Sequence, residues 1–386
     1  MTTIARIDSH ILHVSAKTNW WFLAVTDSIG AVGWGEGSLN GWEPVLDALT
    51  GHLRPQWIGL TLEQAAQQIR VNPGAVTGLT GHCVVSAFLQ AVLSLQSQHA
   101  QKAPHELLGP LRHDRLPVYA NINRATIERS PAGFVATARR AQAQGHTRFK
   151  AAPFDGLSPQ LCATREGRMR IGHGIDCMAA LRDAMGPDAL LMVDCHWRFD
   201  EASAVQTLRD LEPIGLHWFE CPLAETHAHW AAMRRVRQAA NDRGVMLAAA
   251  ETQVGLASFQ TLFDEGLYDV VMPDVKYCGG PWEMLRIAER AAERGVRFSP
   301  HNPTGPVCTW HSLQVALVAP ECAMLEVQFE ESELTDRVSQ GVDLQVQQSG
   351  MRPPAAHRRV QQLDRAVLAG HPYQSVPPGI ESQLNA

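Results

Sequence analysis

The rhythm of apolar and polar residues changes near residue 115. Before it, ARIDSHILHV alternates and WWFLAVTDSIGAVGWGE is rich in aromatic and β-branched residues, which predicts antiparallel strands with a turn at Asp27–Gly30. Helical spacing follows in PVLDALTGHL, TLEQAAQQI and HCVVSAFLQAVLSLQSQ. After residue 115, apolar runs of four to six residues alternate with amphipathic helical segments, the pattern of βα units on a parallel sheet. The expected strands are RLPVYANI, HTRFKAA, ALLMVD, GLHWFE, VMLAAAE, YDVVMPD, VRFSPH and CAMLEV. Between them lie segments such as FVATARRAQAQ, CMAALRDAM, ASAVQTLRDL, HWAAMRRVRQAANDR, FQTLFDEG and EMLRIAERAAERG. Eight strands with seven helical connections predict an α/β chain built on a (β/α)-barrel, and the same alternation also suits a doubly wound sheet. The expected division is an α+β unit over 1–112, the barrel over 113–335, and a Gln- and Pro-rich segment over 336–386 that packs back on the first unit.

Composition narrows the class without changing this picture. A chain of 386 residues with 45% hydrophobic and 19% charged residues is an ordinary globular protein with room for more than one domain. A net charge of −6 with no basic run favours neither nucleic acid nor an anionic membrane as partner. The N-terminal stretch lacks the basic flank and apolar core of a signal peptide, and no apolar run approaches the roughly 20 residues of a membrane span. Eight cysteines without a CxxC spacing argue against a zinc ribbon or redox pair and fit reduced thiols in the cytoplasm. Cys195 and Cys221, each beside a candidate ligand, are expected to face the core.

The chemistry lies where the strands end. Lys150, Asp194, Glu220, Glu251 and Asp274 each close an expected strand, His301 closes a sixth, and Glu326 lies in the last. The C-terminal strand ends of a barrel converge on one mouth, where active sites are built. A single Asp there is often a helix N-cap. Three carboxylates in consecutive βα units would repel one another in a partly dry pocket unless a hard divalent cation, Mg²⁺, bound them through oxygen. Asp274 and His301 close successive strands, so the Asp can fix the His tautomer and leave the other ring nitrogen as a base. Lys150 beside a cation is expected to have a lowered pKa and to exchange protons. A cation on a substrate carboxylate acidifies the adjacent C–H, and the fate of the resulting enediolate separates racemisation from loss of a β-hydroxyl. A zinc hydrolase would have only the HAH pair His227 and His229, on a helix-like segment, and a binding-only barrel would not need both members of the dyad.

This ordered set resembles the mandelate racemase subgroup of the enolase superfamily. The resemblance implies a modified barrel under an α+β capping domain, with Asp194, Glu220 and Glu251 as metal ligands and Asp274–His301 as the dyad. It implies that Glu326, in MLEVQF, bonds the substrate carboxylate. The spacings of 26, 31, 23 and 27 residues between the ligands and dyad members suit the family. Two-base members carry Lys-x-Lys on the second strand, whereas this chain has Lys150-Ala151-Ala152, which favours dehydration over racemisation. His196, two residues past Asp194, resembles a residue that assists with a hydroxyl group in acid-sugar dehydratases, and TNWWFLAVTD, GWGE and YANINR point the same way. The long stretch APFDGLSPQLCATREGRMRIGHGID after Lys150 is expected to supply substrate contacts. Lys17, Thr18, Asn19 and Trp20 would belong to a mobile lid, and GWGEGSLNGWE to a second covering loop with Trp42 facing the pocket. The implied activity is a Mg²⁺-dependent sugar-acid dehydratase on an aldonate or aldarate, with a racemase, epimerase or cycloisomerase as the alternative. Members of the group are commonly dimers or octamers.

Overall fold

The computed structural model describes residues 2–71, 78–342, 344–354 and 361–379. β1 (Ile4–Ser15), β2 (Thr18–Asp27) and β3 (Val32–Glu36) form an antiparallel sheet in that order. β2 is buried along almost its whole length because both of its faces are covered. Successive strand residues point to opposite faces. Trp21, Leu23 and Val25 accordingly join one apolar cluster with the long helix, while Trp20, Phe22 and Ala24 join another. A strand covered twice reads as a continuous apolar run, which is what WWFLAV is.

α1 (Glu43–Trp57), α2 (Leu62–Val71) and α3 (Gly78–Ala100) cover the first face. α3 is long and apolar enough to cross a membrane, contrary to the expectation from the sequence, and it is buried as the core helix of this unit. β3 lies flush on it. A Cβ at Gly33, Gly35 or Gly37 would run into the carbonyl of Ala91, Ala87 or Cys83, respectively. Glycines two apart on a strand thus meet carbonyls four apart on a helix, so VGWGEG is a packing stripe and not, in this part, a covering loop.

After α4 (Pro104–Leu108), eight parallel strands follow: β4 (Leu116–Asn121), β5 (Arg148–Ala151), β6 (Leu190–Asp194), β7 (Trp218–Glu220), β8 (Met246–Ala249), β9 (Val270–Val271), β10 (Arg297–Phe298) and β11 (Leu325–Gln328). Each pairs with the next as far as β10, and β11 returns to pair with β4. Phe298 forms a parallel bridge with Cys322 just ahead of β11, and the Ala323 amide donates to the Phe298 carbonyl at 2.8 Å. The sheet is therefore a closed ring, and the doubly wound alternative falls away. The seven connections are α5 (Pro131–Ala143), α6 (Arg165–Met185), α7 (Glu201–Asp210), α8 (Trp230–Asn241), α9 (Gly255–Asp264), α10 (Pro281–Glu293) and α11 (Pro306–Val318).

α6 takes up half of the long stretch expected after Lys150. Thr164 caps it by accepting from the Gly167 amide, and Gly174 is where the Phe154 ring lies against the helix. Three glycines at 167, 172 and 174 hide this turn-rich start from a propensity reading. The tail divides its contacts. Leu334, Val338, Leu363 and Leu368 join the second cluster on β2, whereas Gly350–Met351 pairs antiparallel with β4 of the barrel.

Inside the ring the two-residue period sorts side chains into layers. Tyr119, Met192, Trp218 and Met324 form an apolar layer, and two residues further on stand Asn121, Asp194, Glu220 and Glu326. The Gly35→Ala substitution is expected to lower the melting temperature by the equivalent of about 1–3 kcal/mol through overpacking against α3. Gly51→Ala in α1, where an added Cβ meets nothing, should be neutral or stabilising, and equal melting shifts for the two would contradict the close-packing reading.

Candidate active site

The polar layer opens on the C-terminal mouth of the barrel. Asp194 and Glu220 are paired neighbours at the ends of β6 and β7, and Glu251 follows β8 by two residues. One carboxylate oxygen from each lies within 4.8 Å of the others, and all three side chains are buried. The backbone turns sharply here at residues other than glycine: φ is 47° at His196, 55° at Trp197, 44° at Cys221 and 82° at Ala250. Such strain clusters where a fold must hold functional groups. Part of what holds it is Glu225, half-buried, whose carboxylate accepts from Trp197 Nε1 at 2.9 Å and from the Ala250 amide at 3.2 Å. Nothing in the sequence singled out Glu225.

Lys150 reaches this cluster from β5. Its Nζ is 2.6 Å from Glu220 Oε1, 2.9 Å from Glu326 Oε1 and 3.8 Å from Asp194 Oδ2. Burial alone would lower its pKa, but Glu220 and Glu326 hold the ammonium well above its ordinary value. The lowered value expected from the sequence belongs to a site with a cation in it. A cation shared by the carboxylates would compete with Lys150 for the same negative charge and pull its pKa back down.

The acids respond in different ways. Burial pushes the Glu220 carboxyl up to about 8; Lys150 draws it down, and the charges of Asp194 and Glu326 raise it again. Burial also acts to raise Asp194, yet His196 and Lys150 outweigh it and hold that carboxyl below its usual range. His196 Nε2 is 2.9 Å from Asp194 Oδ2, and its amide donates to Oδ1 at 3.0 Å. Glu326 is held low, against burial, by Lys150 and His301. Its oxygens accept from Lys150, from Asn121 Nδ2 at 2.7 Å and from the Asn302 amide at 2.9 Å. Glu326 therefore stands here as an acceptor to three donors.

On the other flank, His301 Nδ1 donates to Asp274 Oδ2 at 2.8 Å, and its Nε2 lies 3.5 Å from Glu251 Oε1. The dyad and the three acids are thus one cluster. Asp274 has a second partner that the sequence reading passed over: Lys276, buried, forms an ion pair with the same oxygen, and its amide donates to Oδ1 at 2.9 Å. Asp-x-Lys after a short strand looks like an ordinary loop, and only the bend of the chain turns the lysine inward.

The lid residues stand elsewhere than expected. Only Ala16 and Lys17 turn the β1–β2 hairpin, so Thr18, Asn19 and Trp20 are buried members of β2. Asn19 Nδ2 donates to the Gln374 carbonyl at 2.9 Å, and its Oδ1 is 2.9 Å from His13 Nδ1. Trp20 does line the cleft above the dyad, together with Asn19, Lys276 and Thr304. Trp42 instead packs against the core formed with α3 and is not among the residues lining that cleft. The sheet is joined to the mouth by Glu36 at the end of β3. Its buried carboxylate accepts from Thr304 Oγ1 at 2.6 Å and from the amides of Gly305 and Cys308 at 2.9 Å each, capping α11 directly after His301. His227 and His229, the zinc candidates, form an exposed turn and belong to no such cluster among the described residues.

As a donor set, Asp194, Glu220 and Glu251 suit a hard divalent cation. They supply oxygen only and are buried, and the charge of Asp194 adds to the burial that raises Glu220.

Residues 133–357, more than half of the chain, match the family described as Enolase C-terminal domain-like. The chain is 28% identical over 350 residues to a D-galactonate dehydratase family member of Streptomyces bingchenggensis, covering 84% of this chain and 82% of that protein. It is 25% identical over 367 residues to a D-galactonate dehydratase of Ralstonia pickettii, covering 90% of each. In fold it is similar to a mandelate racemase/muconate lactonizing enzyme-like protein from Roseovarius sp., with a TM-score of 0.86, 21% identity and 97% of each chain covered.

The raised Glu220 sets a pH dependence. Because the fold favours its protonated form, its contribution to stability is present below about pH 4.5 and lost as pH rises toward about 8. The melting temperature of metal-free protein is expected to fall between about pH 5 and about pH 8 more steeply than that of Glu220→Gln. Added Mg²⁺ should restore most at the alkaline end, since cation and proton compete for one carboxylate. A metal-induced shift that is independent of pH would contradict this.

Proposed function

The chain belongs to the enolase C-terminal domain-like family, and from that premise we propose that it is a Mg²⁺-dependent acid-sugar dehydratase. It removes the proton α to a carboxylate and eliminates the β-hydroxyl of an aldonate or aldarate, giving a 2-keto-3-deoxy acid. The observation that carries this reading is the order of groups around the mouth: Lys150 on one flank of the three carboxylates, the His301–Asp274 dyad on the other, and His196 bonded to the first carboxylate. The dehydratase names of the Streptomyces and Ralstonia relatives support the reaction class.

Bound by Asp194, Glu220 and Glu251, the cation supplies the positive charge that makes the C–H next to the substrate carboxylate acidic. The protein's own groups do the rest. Asp274 keeps the proton of His301 on Nδ1, so Nε2 faces the acid cluster with its lone pair and takes the α-proton. Lys150, ion-paired to Glu220 and Glu326 on the opposite flank, positions charge there. His196, partly open to solvent, gives a proton to the departing β-hydroxyl from the rim. The C–O bond breaks, water leaves, and the enol product relaxes to the ketone. Racemisation or epimerisation would need only the two flanking groups. The third group, His196, is what favours elimination.

A screen of mono- and dicarboxylic sugar acids with Mg²⁺ is expected to yield a 2-keto product from at least one compound. His301→Asn should lower kcat/KM by about 10²–10⁴. His196→Asn should lose dehydration while still exchanging the α-proton in D₂O, whereas His301→Asn should lose both. Wild-type exchange with inversion and no loss of water would overturn the dehydratase reading in favour of the isomerase.

A further inference from the structure

Each acid of the Asp194–Glu220–Glu251 cluster adjoins a turn in which a residue other than glycine has positive φ. These are Trp197 (55°) after Asp194, Cys221 (44°) after Glu220 and Ala250 (82°) before Glu251. Such backbone is unfavourable for a residue with a Cβ and persists only where its surroundings over-determine it. One side chain, Glu225, touches all three turns. Its Oε1 accepts from Trp197 Nε1 at 2.9 Å and from the Ala250 amide at 3.2 Å, and Cys221 Sγ lies 3.7 Å from the same oxygen. Its Oε2 accepts from Gln253 Nε2, two residues past Glu251, at 3.3 Å. All four donors are neutral.

Backbone bonds fasten the same turns only to their neighbours. The Trp197 amide donates to the Cys221 carbonyl at 2.6 Å, and the Cys221 amide to the Ala248 carbonyl at 3.0 Å. Glu225 Oε1 joins the first turn to the third through a single atom. Two ordinary roles for this glutamate do not fit. It lies outside the group of three acids whose oxygens come within 4.8 Å of one another, so it is no fourth member of the cluster. Nor does it cap the turn His227–His229, which has Thr226 at its cap position. What the clamp controls is how far the three acids can shift. That freedom separates the hard cations: Mg²⁺ demands near-ideal octahedral oxygens at about 2.0–2.1 Å, whereas Ca²⁺ accepts a looser shell at about 2.3–2.6 Å.

We propose that Glu225 is a positioning residue that sets the metal preference: by pinning the three turns together it holds Asp194, Glu220 and Glu251 at the spacing that favours Mg²⁺ over Ca²⁺. The proposal rests on the reading of those three acids as a divalent-cation site. Glu225 acts on that site through Trp197, Cys221 and Ala250 and touches neither cation nor substrate.

The test titrates the metal-free full chain with Mg²⁺ and, separately, with Ca²⁺ in a calorimeter. Wild type should bind Mg²⁺ the more tightly. Glu225→Ala should lose about tenfold to a hundredfold in Mg²⁺ affinity, the usual effect of removing a group that orients metal ligands, and much less in Ca²⁺ affinity. Glu225→Gln keeps an acceptor oxygen for Trp197 and Ala250 and should keep the Mg²⁺/Ca²⁺ ratio. Loss of charge alone would weaken both ions alike, in Glu225→Gln as in Glu225→Ala. General loosening would lower the melting temperature of the metal-free protein and leave the ratio unchanged. Either pattern, or a wild-type preference for Ca²⁺, would overturn the positioning role. Should Glu225→Ala not fold, Trp197→Phe decides, since it removes one bond of the clamp and keeps an aromatic ring. The ratio should move the same way by a smaller amount, and an unchanged ratio there would equally overturn the role. If wild type binds neither ion, the cation-site reading fails and the preference falls with it. If wild type binds Mg²⁺ and every variant keeps its ratio, only the role of Glu225 fails.

Discussion

Five carboxylates, Asp194, Glu220, Glu251, Asp274 and Glu326, are buried at one end of a single barrel, and the placement of almost every other polar group at the mouth answers to that charge. Ionised carboxylates cannot share a dry space without compensation. Lys150 is spread over Glu220, Glu326 and, at longer range, Asp194. His301 and Lys276 both serve Asp274, and His196 serves Asp194. The raised Glu220 marks the place where these partners fall short. Three of the acids fit a divalent metal site, and a cation there would make up the shortfall with an affinity coupled to the protonation of the site.

The cluster depends on parts of the chain far from it. The inner residues of the strands form one apolar layer, with Tyr119 edge-on to Trp218 at 5.3 Å, and this floor fixes the height at which the acids stand. Trp218 also donates to Glu220 Oε2 at 2.8 Å, joining floor and site directly. From above, Glu36 caps α11 immediately after the His301 loop, so the antiparallel sheet helps to fix the dyad as well as roofing the mouth. The close seating of β3 on α3 through Gly33, Gly35 and Gly37 in turn sets where Glu36 ends up.

The barrel was legible in the sequence because its strands are short apolar runs, six of the eight closed by an ionisable residue, and that pattern survives without any knowledge of neighbours. That Asp194, Glu220 and Glu251 lie together and that Asp274 meets His301 was legible for the same reason, since residues that end strands of a ring must meet. Other features failed for physical causes. Thr18 and Asn19 look like loop residues by type, but a two-residue hairpin and cover on both faces make them strand. Gly167, Gly172 and Gly174 lower helix propensity, yet α6 forms over them because close packing against Leu161 and Phe154 leaves no room for a side chain at two of the three positions. Lys276 and Glu225 were invisible because their roles come from chain bends at positive φ or in short loops, which no periodicity reports.

The assignment of Asp194, Glu220 and Glu251 is tested most directly by titrating metal-free protein with Mg²⁺ in a calorimeter near pH 8, in buffers of different ionisation enthalpy. One ion per chain with release of protons is predicted, with the binding abolished in Glu251→Gln and the proton release abolished in Glu220→Gln. Absence of binding, or binding that neither substitution alters, would contradict it.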